Sequence, residues 1–178
     1  MNERIQPAVT KAPDLESSDL QKVEAAEGYH MIGMYQQAAD EIASIPAERR
    51  YHPSVLHVAC RAHWALRQIP EAVAYTERFI QMEPRQPFGY VFMSMLLCYQ
   101  KRPKEAYDLL RSAVKWFPEH GSLHYEMARA AAECALWSEA RHWLYHAISI
   151  QLSLKQVALA SPAFAAIKDE IEAMNPGN

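Results

Sequence analysis

The sequence predicts an all-α protein made of four helix-turn-helix repeats followed by a C-terminal capping helix. The first observation is a ladder of alanines at one constant spacing: Ala38, Ala72, Ala106 and Ala140. The second is composition, since glycine occurs only 5 times in 178 residues while strong helix formers are abundant. The third is that no long stretch alternates apolar and polar residues, as strands would. A fixed spacing of about 20 to 50 residues, such as that between Ala38 and Ala72, is the signature of a repeat protein.

The alanine ladder divides most of the chain into four repeats. We assign them to residues 19–52, 53–86, 87–120 and 121–154, and we expect two antiparallel helices in each. The first helices carry small residues at equivalent positions, which would let paired helices approach closely: Ala26, Cys60, Ser94 and Ala128. Two short helices cannot bury an apolar face alone, so each repeat is expected to pack on the next.

The first repeat is the least regular of the four. Pro46 falls where its second helix should end, so we predict that this helix stops near Ile45 and that residues 46–52 form an irregular link. Gly33 is at the turn between its two helices, and the other repeats have no glycine at that turn.

Both ends of the chain depart from the repeat. Residues 1–18 are polar and show no apolar period, so they are predicted to be a disordered or loosely ordered segment, with Ser18 or Asp19 capping the first helix. Residues 155–178 are predicted to form a capping helix and a frayed tail. An apolar stripe in this segment would cover the last repeat: Phe164, Ile167 and Ile171.

The repeated helix-turn-helix unit, in its length and pattern, resembles the tetratricopeptide repeat. The closest local matches are Gly33, Tyr35 and Ala38 in the first repeat, and Glu71, Ala72, Phe79 and Pro84 in the second. The resemblance covers residues 19–154 and depends on four units that agree in period. It implies a right-handed helical solenoid without enzymatic activity, in which the first helices of the repeats line a concave groove that binds a partner peptide. The segments 45–46, 53–56 and 87–90 look like those of a group of bacterial tetratricopeptide-repeat proteins.

The resemblance also indicates which side chains would face the groove. These are the residues on the non-packing face of the first helices: His57, Arg61, Trp64, Phe88, Val91, Phe92, Met95, Tyr99, Tyr125 and Arg129. Aromatic and methionine side chains flanked by arginine are typical of a peptide-binding surface. The alternative for Phe92 and Met95 is that they pack between neighbouring repeats.

One binding mode of the family is not expected here. Some tetratricopeptide co-chaperones hold a C-terminal carboxylate with a lysine and asparagine clamp. The asparagines of this chain, Asn2, Asn175 and Asn178, all lie outside the repeats. Arg61 and Arg129 could still bind an acidic group in another geometry.

Composition excludes several other classes of function. The net charge of −3 offers no basic excess for nucleic acid. No apolar run is long enough for a membrane span, and the N-terminus does not resemble a secretory signal. The cysteines Cys60, Cys98 and Cys134 are odd in number and isolated, as expected of reduced thiols in a cytoplasmic protein.

Catalytic motifs are weak, and we expect neither an enzyme nor a cofactor. His142 and His146 are one helical turn apart and could share a metal, but a solvated helix face explains them better. The leading hypothesis is therefore a protein-binding module. Three alternatives remain: a secretion-type chaperone, self-association through an uncovered end of the solenoid, and a metal-dependent hydrolase centred on the two histidines.

Overall fold

The computed structural model describes residues 13–174, and every regular element in that range is helical. Ten α-helices follow one another in the described range: α1 Ser17–Met31, α2 Tyr35–Ala43, α3 Pro53–Ala65, α4 Ile69–Met82, α5 Pro87–Tyr99, α6 Pro103–Ala113, α7 Gly121–Glu133, α8 Trp137–Ile150, α9 Leu154–Ala160 and α10 Lys168–Ala173. Two 3₁₀ helices, Val114–Trp116 and Pro162–Ile167, complete the set. The all-α fold with paired helices is confirmed.

The chain divides into two compact units, residues 1–84 and residues 85–178, called unit 1 and unit 2 below. In unit 1, α1 packs on α2 and α3, and α3 packs on α4. In unit 2, α7 is the central helix, because it contacts α5, α6, α8, α9 and the second 3₁₀ helix. The ladder alanines at 38, 72, 106 and 140 are fully buried, as spacers between helices should be.

The turn between the two helices has the same backbone in all four pairs. Gly33, Arg67, Lys101 and Ala135 each adopt a positive φ, and their spacing along the chain is that of the ladder alanines. After each of them, one N–H bonds back across the turn at 2.9 Å: Met34 to Tyr29, Gln68 to His63, Arg102 to Leu97, and Leu136 to Ala131. This is the Schellman arrangement, in which a left-handed residue closes the end of a helix. The repeat period is therefore a property of the backbone as well as of the alanines.

The start of α1 differs from the prediction. The helix begins at Ser17 rather than at residue 19, and its N-cap is Glu16 rather than Ser18 or Asp19. Asp19 is buried, and its carboxylate accepts a hydrogen bond from the Glu16 N–H at 3.1 Å. Arg49 also pairs with Asp19 at 2.7 Å, which connects the start of α1 to the 46–52 link. Asp19 is therefore the N3 residue of a capping box with Glu16 rather than the cap itself.

The Pro46 prediction is confirmed. The second helix of the first pair, α2, ends at Ala43, and residues 46–52 form turns that no helix continues. Arg49 N–H and Arg50 N–H both bond to the Pro46 carbonyl, so the link is ordered by its own backbone.

The predicted capping helix is broken into shorter pieces. Pro162–Ile167 is a 3₁₀ helix, and only Lys168–Ala173 continues as α-helix. A 3₁₀ helix places residues i and i+3 on one face, so Phe164 and Ile167 can both be buried there, and Ile171 is buried in α10. Residues 1–12 and 175–178, which belong to the predicted loose ends, lie outside the described residues. Over 13–174, no helix is long and apolar enough to cross a membrane.

Candidate partner-binding surfaces on the first helices

The first-helix surface of unit 1 is polar, with Arg61 as its cation and Glu27 as its anion. Here α1 and α3 lie side by side, and Arg61 of α3 contacts His30 of α1, with 3.2 Å between the guanidinium Nη2 and the ring Nδ1. Burial and the nearby Arg61 charge both lower the pKa of His30. A neutral His30 ring can accept the bond from Arg61, so the contact is strongest when the imidazole is deprotonated.

His57 belongs to the same surface, one turn before Arg61. Burial lowers its pKa most, the charge of Arg61 lowers it further, and Glu27 of α1 opposes the shift in part. The ring of His57 also lies 6.4 Å from that of Phe79 on α4. Trp64 is half-buried near the end of α3, with the Arg67 guanidinium 5.4 Å from its ring centroid. These side chains form one surface, called the unit 1 face: Glu27, His30, His57, Arg61 and Trp64.

The first-helix surface of unit 2 is apolar along α5. Val91, Met95 and Tyr99 are spaced by four residues and lie on one side of that helix. Val91 and Met95 are half-buried, whereas Tyr99 is 50% exposed. We call these three residues the α5 stripe. The exposed end of the stripe is the aromatic ring of Tyr99, and aromatic side chains are common anchors at binding surfaces.

Two aromatic residues predicted for this surface are instead buried. Phe92 is 7% exposed and stacks on Phe88, with ring centroids 5.4 Å apart. Tyr125 is 8% exposed and meets Phe164 edge to face at 5.8 Å. The prediction projected each repeat by itself, so it missed that the C-terminal 3₁₀ helix folds onto α7 and covers Tyr125.

Arg129 is held by carboxylates of its own helix. Glu126 accepts from Nε at 2.9 Å and also from Nη2, and Glu133 accepts from Nη1 at 3.0 Å. Ser94 of α5 donates to Glu126 at 3.3 Å. Burial raises the pKa of Glu126 and Arg129 opposes that rise. Burial lowers the pKa of Arg129, but the charge and hydrogen bond of Glu126, together with the charges of Cys98 and Glu133, outweigh burial and raise it. Arg129 is therefore already paired with two carboxylates of α7, which compete with any acidic group of a partner.

The spacing of these residues in the sequence already indicated this network, although the groove prediction did not consider it. Glu126, Arg129 and Glu133 are three and four residues apart, which is the spacing of helical ion pairs. Ser94 was expected only as a small spacer, yet its hydroxyl also bonds to the buried Glu126.

The thiols and the histidine pair show no arrangement for catalysis. Burial raises the pKa of Cys60 to about 11 and that of Cys98 to about 12, so neither is poised as a thiolate. The exposed rings of His142 and His146 are 4.7 Å apart on α8. Among residues 13–174, no three His, Cys, Asp or Glu side chains are grouped so that they could hold a metal ion.

Comparison with known proteins supports the fold. No family model matches the chain, and no curated protein sequence matches it. Solved structures of MamA do match. MamA 41-end from Desulfovibrio magneticus RS-1 is 13% identical, with a TM-score of 0.71, over 90% of this chain and 91% of that one. A crystal structure of MamA is 12% identical, with a TM-score of 0.68, over 78% of this chain and 81% of that one.

The class of fold follows from these observations together. The chain has the all-α, tetratricopeptide-like helical repeat fold of those neighbours. A structure titled MamA MSR-1 C2 agrees, at 16% identity and a TM-score of 0.62 over 74% of this chain and 76% of that one. At such low identity the likeness extends to the fold alone.

Proposed function

We propose that this protein is a non-enzymatic interaction module, and that its first helices bind a segment of a partner protein. The observation that carries the proposal is the α5 stripe, in which half-buried Val91 and Met95 lead to the exposed ring of Tyr99. A partner peptide with apolar anchors fits such a stripe. In an extended peptide alternate side chains can contact it, and in a helical peptide every fourth side chain can do so.

The ion network on α7 supports the same proposal. Arg129 and its two carboxylate partners hold each other in place on α7, which packs on the stripe-bearing helix α5, so binding to the stripe would not have to order this neighbour. In unit 1, the unit 1 face offers a cation, Arg61, that is bonded to a neutral ring rather than to a carboxylate. An acidic residue of the partner would suit it.

The setting we propose is the cytoplasm, where thiols stay reduced. Cys60, Cys98 and Cys134 are all free. Two of them are buried in first helices as small packing residues, a use that is compatible with a reducing compartment.

The test is recovery of a partner by affinity purification from the native host, using the full chain. Tyr99→Ala, alone and combined with Trp64→Ala, should lose the partner that wild type retains. The matched control is Tyr145→Ala, because Tyr145 is 46% exposed but belongs to a second helix, α8. If Tyr99→Ala with Trp64→Ala retains the partner as well as the Tyr145→Ala control does, the proposal is wrong.

Self-association is the second candidate, and one observation favours it. The turn between α1 and α2 exposes two large apolar side chains, Met31 at 82% and Ile32 at 70%. Side chains of this kind at a tight turn suit contact with a second copy. Light scattering over a range of concentrations should show an oligomer that Met31→Ser with Ile32→Ser abolishes. A monomer at every concentration would rule this candidate out. Leu152→Ser, at a 66% exposed position in unit 2, is the control.

A further inference from the structure

Unit 1 contains a cleft away from the first helices. Its volume is about 510 Å³, and it is lined by residues of α4 and of the 46–52 link: Tyr51, Glu71, Ala74, Tyr75 and Arg78. The α4 residues are three, four and seven positions apart, so they follow one face of that helix. None of these residues belongs to the unit 1 face or to the α5 stripe.

Arg78 is the polar group at one end of the cleft, and its hydrogen bonding is incomplete. Nη1 donates to the amide oxygen of Gln81 at 3.1 Å, whereas Nε is buried and has no acceptor. Within residues 13–174, Arg78 forms no ion pair with a carboxylate. Buried donors in proteins are nearly always paired, with protein groups or with ordered water, so the Nε–H of Arg78 is left for an acceptor from outside the described residues.

The walls of the cleft are aromatic. The Tyr51 ring lies over the Arg78 guanidinium, with 5.0 Å between the guanidinium carbon and the ring centroid. The Tyr75 ring is stacked on His63 of α3 at 5.1 Å, which holds it in place. Ala74 also lines the cleft, and its small side chain takes up little space there. Nε itself is buried, so a ligand reaches it only if the ring of Tyr51, which is 46% exposed and lies over the guanidinium, shifts.

The charges around the cleft favour an acidic ligand at the Arg78 end. Arg50 precedes Tyr51 in the link, and among the described residues its guanidinium donates to two backbone carbonyls, those of Ile45 at 2.6 Å and Ala43 at 2.5 Å. Its charge acts on Tyr75, where it opposes the rise in pKa that burial causes. Glu71 lies two helical turns from Arg78 and would repel a second anion at the other end of the cleft. The cleft therefore has one anionic position and an aromatic wall.

We propose that this cleft binds a carboxylate carried on a flat or apolar body. The carboxylate accepts from Nε and a terminal N–H of Arg78 in the side-on, two-bond geometry that guanidinium favours. The body of the ligand lies against Tyr51 and Tyr75, above Ala74. Two sources have this chemistry, the C-terminus of a peptide that ends in an aromatic residue and a free aromatic acid.

The test is NMR titration of the full ¹⁵N-labelled chain with three probes. N-acetylphenylalanine represents the peptide C-terminus, 4-hydroxyphenylacetate represents the free acid, and N-acetylphenylalanine amide lacks the carboxylate. We expect at least one acid to shift the Arg78 Nε–H resonance and the Ala74 amide at millimolar concentration, and the amide to leave both unchanged. Whichever acid binds more tightly identifies the source.

Variants make the assignment specific. Arg78→Gln should weaken binding by about tenfold or more, the loss expected for a charge-assisted pair of bonds. Arg78→Lys keeps the charge, and its affinity for the acid should lie between that of Arg78→Gln and that of wild type. Ala74→Phe should block binding by filling the cleft, which preserves the test if Arg78→Gln fails to fold. Arg67→Gln is the matched control, because Arg67 also lies over an aromatic ring in unit 1. Equal shifts from the acids and the amide, or none from any probe, would overturn the proposal.

Discussion

Arg61 in unit 1 and Arg129 in unit 2 occupy the same position of the repeat, two periods apart, but they bind different partners within the chain. Arg129 has a glutamate three residues before it and another four residues after it, and both accept its hydrogen bonds. At the same offsets Arg61 has Val58 and Ala65, so it reaches across to a histidine ring instead. The repeat gives both arginines the same position on the first helix. The residues three before and four after each arginine determine whether its guanidinium is paired with a carboxylate.

The largest expected effect is on folding stability and separates the two arginines. Arg129→Met leaves Glu126, which is 8% exposed, without its counter-ion, and should cost about 3–5 kcal/mol in the free energy of unfolding. Arg61→Met removes one hydrogen bond to a neutral ring and should cost about 1 kcal/mol. Urea unfolding followed by circular dichroism measures both.

The control for this prediction is a double variant. Glu126→Gln with Arg129→Met removes the buried charge together with its partner, so it should recover most of the lost stability. If Arg129→Met and Arg61→Met lower the free energy of unfolding by the same amount, the two arginines contribute equally to stability and the prediction is wrong.

The next effect is a pH dependence that belongs to the unit 1 face. The folded-state pKa values of His30 and His57 are lowered, so the unfolded chain binds more protons than the folded one. Stability is therefore full above the ordinary histidine pKa of about 6.5 and is lost as the pH falls through and below it. Because these rings are only partly buried, the loss should be smaller than that of Arg129→Met.

Urea midpoints measured across this pH range, for wild type and for His30→Gln with His57→Gln, isolate that contribution from the other histidines. The difference between the two chains should shrink as the pH falls. A difference that does not change with pH would mean that the two imidazoles stay equally protonated in the folded and unfolded chains. His142→Gln, at an exposed position on α8, serves as the control substitution.

The smallest effect concerns the repeated turn, which is common to both units. Ala135 adopts a φ of 58°, which costs a non-glycine residue strain that Gly33 avoids at the equivalent position. Ala135→Gly should therefore stabilise unit 2 by about 0.5–1 kcal/mol, while Ala74→Gly inside α4 should destabilise unit 1 by a similar amount. Thermal unfolding would show shifts of opposite sign. Shifts of the same sign would contradict the strain argument.

The repeat pattern made much of the fold predictable. Buried alanines at a fixed period indicated the helix pairs, and Pro46 indicated the end of α2, because both effects are local. The left-handed turns at Arg67, Lys101 and Ala135 could not be predicted from composition, since only the first turn has a glycine. There the backbone bonds across the turn outweigh the preference of the residue.

The candidate site was less predictable, because exposure depends on distant segments. Tyr125 is covered by Phe164, which lies beyond the last repeat, and no repeat-based projection contains that contact. Val91, Met95 and Tyr99 were among the predicted groove residues, because they follow simple helical spacing. The cleft beside Arg78 has no sequence signal, since it combines a helix face with an irregular link.

We propose that the first helices, and the α5 stripe above all, contact the partner. The most direct measurement is photo-crosslinking in the native host, with p-benzoylphenylalanine placed at position 99 in one variant and at position 145 in another. Both positions are exposed tyrosines in wild type, so the replacement is mild in each. We expect a covalent adduct between the chain and a partner protein from position 99 and none from position 145. An adduct from position 145 alone would contradict the proposal.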